Sequence, residues 1–224
     1  MNDNITAHSS LEYDDEILKT IPFYNLFNQS IVDLIKSTDK PVHNWLDTGC
    51  GTGNFYINAN EEFPDTIFTL ADPSNKMLET ANKKIKRNKN VVFILSDSQS
   101  LAFEDNTFDV ITAIQCHHYL DKATRIKATE NCFRMLKSGG FFITFENIAP
   151  LSETGLQISL KRWAGYQITN GKTSIEAEKH IQRYGKNYFP ISIIEHIHLL
   201  NEIGFCGVEI LWASYMQTGF FAVK

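Results

Sequence analysis

Cysteine is scarce and dispersed. The four in 224 residues (Cys50, Cys116, Cys132, Cys206) form no C-x-x-C pair, which argues against a disulfide framework or a zinc ribbon and makes reduced thiols in a cytoplasm the plain reading. No apolar run approaches the roughly 18 residues that a membrane helix needs. The opening stretch, MNDNITAHSSLEYDDE, is acidic and polar, unlike a secretory signal or a transit peptide. Positive charge is in deficit, with 21 Lys+Arg against 26 Asp+Glu and a net charge of −5. Nucleic-acid binders present a basic face, so a polyanionic partner is disfavoured. Repeats and low-complexity linkers are absent too. What is present is ordinary for a soluble globular chain: 43% hydrophobic and 21% charged residues, in a length that suits one α/β domain or a core with a cap.

The dominant pattern is alternation. Apolar runs predict strands over Val42–Asp47, Thr66–Ala71, Asn90–Leu95, Phe108–Ile114 and Gly140–Glu146. Helical stretches lie between them near Asn54–Glu62, Ser74–Arg87 and Lys122–Leu136. Strand–helix–strand repetition implies a mostly parallel sheet with helices on both faces. Ser74 suits an N-cap ahead of an apolar face of Met77, Leu78, Ala81 and Ile85. Ser138-Gly139-Gly140 reads as the C-cap of the long helix. Two segments stand outside the rhythm. Leu11–Ser37, broken by Pro22, predicts two helices before the first strand, and Pro150–Pro190 predicts a mostly helical insertion where a lid over a site would sit. The tail reads as a helix over Ile191–Ile203, a stop at Gly204-Phe205, and a hairpin of Val208–Ser214 with Met216–Val223, giving the sheet one antiparallel edge strand. The expectation is one domain over 1–224, with 1–40 and 150–190 as a helical cap.

The sharpest motif is the loop Asp47-Thr48-Gly49-Cys50-Gly51-Thr52-Gly53, which follows an apolar strand and opens a helix. There the chain must turn tightly and let a ligand approach bare backbone. A dinucleotide site uses G-x-G-x-x-G, so that pyrophosphate sits on the helix N-terminus. Here the spacing is G-x-G-x-G with a carboxylate beside it, a poor neighbour for pyrophosphate and a good one for an amino-acid ammonium. A variant nicotinamide site and a turn without any ligand stay open as alternatives. Asp72 ends the second strand, where a carboxylate can grip ribose hydroxyls, and Pro73 and Met77 supply an apolar wall for a purine. Asp97 and Ser98 follow the third strand, within reach of an adenine edge. Each aspartate alone is also a common cap or turn former. Together they mark the C-terminal strand edge, where open parallel sheets bind ligands.

The segments LDTGCGTGN, TLADPSNKML, SDSQSLAF with FDVITAIQCHHYL, and FRMLKSGGFFITFEN resemble the successive motifs of class I S-adenosylmethionine-dependent methyltransferases over residues 42–147. That resemblance implies a Rossmann-like, seven-stranded sheet with a reversed last strand. It also implies that Asp47, Gly49, Gly51 and Gly53 take the methionine end of the cofactor, Asp72 its ribose, Asp97 and Ser98 its adenine, and that Gln115 lies near the sulfonium. Tyr13, Phe23 and Tyr24 are candidates to close over it. The KRWAGY stretch and the EHIHLLNEIGF…EILWASYMQTGFFAVK tail are similar in layout to carboxy-S-adenosylmethionine synthases, which serve tRNA wobble-uridine modification. In those enzymes a cap arginine holds the extra carboxylate, and Arg162 is the nearest candidate here.

Methyl transfer from a sulfonium is an in-line displacement that needs alignment, desolvation and at times a base. His118 is the leading candidate base because histidine titrates near neutrality, with His117, Tyr119 and Glu146 beside it. A structural role for one of the His117–His118 pair remains the alternative. No metal is expected, since no ligand-spaced partner accompanies the two histidines. His180, His196 and His198 read as solvated or lightly buried, and the run Lys83–Lys89 as a solvated helix end that offsets the dipole. In the KRWAGY stretch, a pocket for an anionic or aromatic ligand competes with a plain amphipathic helix whose core residue is Trp163. The expected activity is methyl transfer to a small-molecule acceptor in the cytoplasm, with an aromatic cap contact as a route to a homodimer. A carboxylated-cofactor synthase and a non-catalytic nucleoside-binding module are the alternatives.

Overall fold

The computed structural model describes residues 5–85 and 89–224. Seven strands form one sheet: β1 (Asn44–Thr48), β2 (Ile67–Asp72), β3 (Val91–Leu95), β4 (Phe108–Ile114), β5 (Leu136–Asn147), β6 (Cys206–Ser214) and β7 (Gln217–Val223). Their order is β3-β2-β1-β4-β5-β7-β6. The first five are parallel, and β7 runs antiparallel to both β5 and β6. The chain therefore reverses its direction of growth between β1 and β4, the switch point at which open α/β sheets bind ligands. Among the described residues the α-helices are α1 (Tyr13–Thr20), α2 (Tyr24–Lys36), α3 (Asn54–Glu62), α4 (Asn75–Lys84), α5 (Lys122–Met135), α6 (Glu153–Thr169), α7 (Ser174–Ile181) and α8 (Ile193–Ile203).

The middle strands are apolar because both faces are covered. Trp45 of β1 is fully buried and packs against Phe55 of α3, Phe63 and Phe68 of β2 at centroid distances of 5.4–5.5 Å. Each such burial contributes on the order of 2 kcal/mol, and together they fix α3, and so the glycine loop ahead of it, against the sheet. Ser74 caps α4 by accepting from the Met77 amide, and Met77, Leu78, Ala81 and Ile85 are buried behind it, as the pattern predicts.

Three local expectations are corrected. Ser138-Gly139-Gly140 is no helix cap: α5 ends at Met135, Leu136 is already extended and pairs with Phe108, and the register slips before Val110 meets Phe141. The glycines form a bulge, because a Cβ on Gly140 would lie 2.8 Å from the Asp109 carbonyl. The reversed strand does not sit at the edge either. β7 carries the buried residues Phe220 and Ala222 and inserts between β5 and β6, leaving the more exposed β6 outermost. His196 is core: it is 4% exposed and stacks on Phe220 at 5.0 Å. His180 is half-buried and meets Trp163 edge-on at 4.9 Å, whereas His198 is exposed.

The N-terminal helices are two, divided after Thr20, and α6 lies against α1. Trp163 is fully buried and donates to the Thr20 carbonyl at 2.6 Å, so it is a core residue of its helix. Of the basic run, Lys84 pairs with Asp14 of α1 at 2.5 Å, and Asp14 also accepts from Thr52 and Asn54. This network ties α1 to the glycine loop and to α4. Lys86–Asn88 lie outside the described residues.

Candidate active site

At the C-terminal ends of β1, β2 and β4 lies a cavity of about 290 Å³, near the lower end of the range of roughly 300–1,000 Å³ for small-molecule pockets. Its walls include Tyr13, Gly49, Gly51, Asp72, Pro73, Met77, Asp97, Ser98 and Gln115. Eight of the sequence-derived positions thus meet around one space, with Tyr13 of α1 as a lid. A smaller recess beside it is lined by Asp47, Tyr24, Tyr13, Gly49 and Gly51.

The glycine loop is shaped by close approaches. Gly49 and Gly51 have φ of +70° and +55°, a region that favours glycine. A Cβ on Gly49 would fall 2.5 Å from that of Cys116. Gly53 does not reach either cavity. It caps α3 at φ +76°, and its missing side chain makes room for Ile85.

Asp47 is 1% exposed and accepts from the Thr112 hydroxyl at 2.8 Å. No cation pairs with it among the described residues. Burial, opposed by the Thr112 hydrogen bond and aided by the Asp72 charge, pushes its carboxyl up to about 7. A buried acid in that state is stabilised in its charged form by a nearby cation, and Asp47 lines the small recess beside the glycine loop. Asp72 accepts from the Gly51 amide at 2.8 Å and the Ser74 amide at 2.8 Å. Those bonds aim its carboxylate along the loop. Asp97 accepts from the Ser100 amide at 2.9 Å, and Ser98 shares its hydroxyl with Thr48 and His117. Gln115 has φ +54°, and its amide donates to Phe145, which turns the chain into the cavity at the end of β4.

The geometry reassigns His118 and Glu146. His118 is 1% exposed and lines no cavity described here. Its Nδ1 lies 2.6 Å from Glu146 and its Nε2 lies 3.1 Å from the Asn147 amide nitrogen, which also meets Gln217 through its oxygen. Glu146 is fully buried and accepts from the His117 and His118 amides, His118 Nδ1 and the Thr144 hydroxyl. Burial would raise its carboxyl, but the hydrogen bonds and adjacent histidines hold it below the usual range. Both residues brace the turn after β4, with their polar atoms engaged with each other and with neighbouring backbone. Arg162 likewise stays away from the cavities: it is exposed on α6, with its guanidinium 4.5 Å from the centre of the Tyr215 ring. Phe23 packs against Tyr166 and Tyr215 instead of the cofactor cavity.

Sequence reasoning did not single out Thr112, Cys116 or Thr6. Thr112 shows the apolar alternation of a buried strand, and only the parallel pairing of β1 with β4, which sets Asp47 opposite it, reveals its bond. Among the described residues no His, Cys, Asp and Glu side chains gather as a metal site, and no helix is long and apolar enough to cross a membrane.

Comparison with known proteins agrees with this geometry. The family described as "Methyltransferase domain" matches residues 46–140. A carboxy-S-adenosyl-L-methionine synthase of Helicobacter hepaticus is 25% identical over 211 residues, covering 91% of this chain and 87% of that protein. A malonyl-[acyl-carrier protein] O-methyltransferase of Halalkalibacterium halodurans is 37% identical over 108 residues, covering 47% of this chain and 39% of that protein. In fold, the chain is similar to the plantazolicin methyltransferase BpumL, solved with a desmethylPZN analog and SAH, with a TM-score of 0.72 and 15% identity over 96% of this chain and 91% of that one. Residues 46–140 thus carry a methyltransferase domain, in a chain that is similar in sequence to the carboxy-S-adenosyl-L-methionine synthases along 91% of its length.

Proposed function

We propose that the protein transfers a methyl group to a small-molecule acceptor enclosed between the strand ends and a cap made by α1, α6 and α7. S-adenosylmethionine supplies that group already activated on a sulfonium. The observation that carries the reading is Asp47, a buried carboxylate without a cationic partner, set next to a loop whose glycines leave room for a ligand. Asp47 holds the ammonium, Asp72 the ribose hydroxyls, and Pro73 and Met77 the purine face, with Asp97 and Ser98 at its edge. Tyr13 and Tyr24 exclude water above the recess. Gln115 and Tyr119 form the wall across which the acceptor approaches. Rate comes from alignment and desolvation, so no base beyond the acceptor's own ionisation is assigned.

A second reading, a synthase of carboxylated S-adenosylmethionine, is supported by the relatives of that name that match along 91% of the chain. Native mass spectrometry of the freshly purified protein, with mass analysis of the released nucleoside, separates the two. Release of the demethylated product fits methyl transfer, whereas saturable binding of added S-adenosylmethionine is expected of both readings. A nucleoside heavier by one carboxylate favours the synthase. A nicotinamide dinucleotide, or no binding at all, would sink both.

A further inference from the structure

A second cavity, of about 470 Å³, opens between residues 5–8, α1 and α7. Its charged lining is Glu16, Lys172, Glu176, Lys179 and Arg183. Both acids are already engaged. Glu16 lies 2.8 Å from Lys172 and 2.7 Å from Lys19, and Glu176 closes the capping box of α7 with Thr173. Among the described residues no carboxylate pairs with Arg183 or Lys179. Arg183 donates from Nη2 to the Ile5 carbonyl at 2.7 Å, while its Nη1 is buried with no partner. Tyr188, 1% exposed, also buries an unpartnered hydroxyl. Leaving a buried donor unmade forfeits its hydration without return, so the unpartnered Arg183 Nη1 at this cavity, with the Tyr188 hydroxyl at the chamber beside it, marks a ligand position.

This cavity adjoins the cofactor cavity, with shared residues in their walls. A narrow chamber lined by Asn147 and Tyr188 shares Thr6, His8 and His180 with the basic cavity, and Thr6, Tyr13, Gln115 and Tyr119 with the cofactor cavity. Burial, with the nearby Lys172 and Arg183 charges, lowers His8 to about 4 and His180 to about 3. Both rings are neutral near pH 7 and line the passage as hydrogen-bonding groups, within the field of the two cations.

We propose that this cavity binds an oxyanion, a carboxylate or a phosphate, gripped by Arg183 and Lys179 with the Tyr188 hydroxyl on the chamber side, and that the oxyanion is the far end of the methyl acceptor. The link to the acceptor rests on the methyl-transfer reading above, whereas the anion site stands by itself. The test is a titration of the full-length protein with inorganic phosphate and, separately, with acetate. Side-chain nitrogen NMR of the arginines follows it, with the Arg183 resonance assigned by its loss in Arg183→Gln. S-adenosylhomocysteine affinity is measured in parallel by calorimetry. The expected result is a saturable shift at the Arg183 resonance of the parent, with the anion affinity read by calorimetry weakened about tenfold or more in Arg183→Gln and about two- to threefold in the exposed variant Lys179→Gln, in line with loss of a charge-assisted contact. S-adenosylhomocysteine affinity stays within about twofold throughout. Tighter phosphate binding identifies a phosphorylated acceptor, and tighter acetate binding a carboxylic acid. No saturable response to either anion, or an unchanged response in Arg183→Gln, overturns the proposal. Anion binding in a protein that does not bind S-adenosylhomocysteine would uphold the anion site and refute the methyl-transfer reading.

Discussion

With Asp47 as the proposed partner of the cofactor ammonium, cofactor binding is expected to depend on pH, and Asp47→Asn is expected to separate binding from stability. Its carboxyl lies near 7 instead of the ordinary 3.8. It must lose a proton before it can pair with an ammonium, so S-adenosylmethionine affinity falls as pH falls. With the ion pair formed, the carboxyl returns below the range measured. The dissociation constant is then expected to rise about 25-fold between pH 7.5 and 5.5, with about 0.9 proton released per cofactor bound at pH 6. Calorimetry in buffers of different ionisation enthalpy reads both quantities. Stability has the opposite sign. The folded chain holds the Asp47 proton more tightly than the unfolded one, so this residue's contribution to stability is lost as pH rises from about 4 through about 7. The interval corresponds to about 4 kcal/mol as an upper figure. Asp47→Asn is therefore expected to stabilise the cofactor-free protein at pH 8 by about 1–4 kcal/mol while weakening S-adenosylmethionine roughly ten- to hundredfold. A variant that binds the cofactor within twofold of the parent, or a dissociation constant flat across this pH range, would refute the placement of the ammonium.

Asp72→Asn keeps the shape but loses the carboxylate that accepts from Gly51 and Ser74, and S-adenosylmethionine affinity is expected to fall about tenfold; full affinity would remove Asp72 from the ribose. His118→Asn breaks a buried pair, so unfolding free energy is expected to drop by about 3 kcal/mol, with turnover within about tenfold of the parent and its pH profile unchanged. A loss of a hundredfold or more in kcat at full stability would restore His118 as the base. Gly49→Ala forces a side chain at φ +70° against Cys116. Thermal denaturation should show a loss of about 1–3 kcal/mol, together with weakened cofactor binding, and an unperturbed variant would contradict the tight loop.

The parts of the site that were legible in sequence share one property: their chemistry and position are set locally. A residue at or a few positions past the C-terminal end of a parallel strand falls on the ligand edge of the sheet, and Asp47, Gly49, Gly51, Asp72, Asp97, Ser98 and Gln115 line the cavities there. The residues misread depend on neighbours distant in the chain. Gly53 keeps the same pattern as its loop partners, yet Ile85 occupies the space beside it. His118 and Glu146 sit at strand ends, but β5 turns Glu146 toward the histidine amides, so the pair satisfies itself. Arg162 lies one residue from the buried Trp163, and the helical rotation between them sends it to solvent.

Alternation of apolar strands with helices, the glycine loop and the acids that end successive strands were enough to determine a Rossmann-like sheet and its ligand edge, because periodicity and turn chemistry act over a few residues. Only the tertiary structure decided the insertion of β7 inside the sheet and the burial of His196. It also decided the junction of α1 with α6 and the bond from Arg183 to the Ile5 carbonyl that brings a cation to the N-terminal segment. Those outcomes depend on which apolar faces and unpaired polar groups become neighbours once residues far apart along the chain pack against each other, and no local pattern encodes that adjacency.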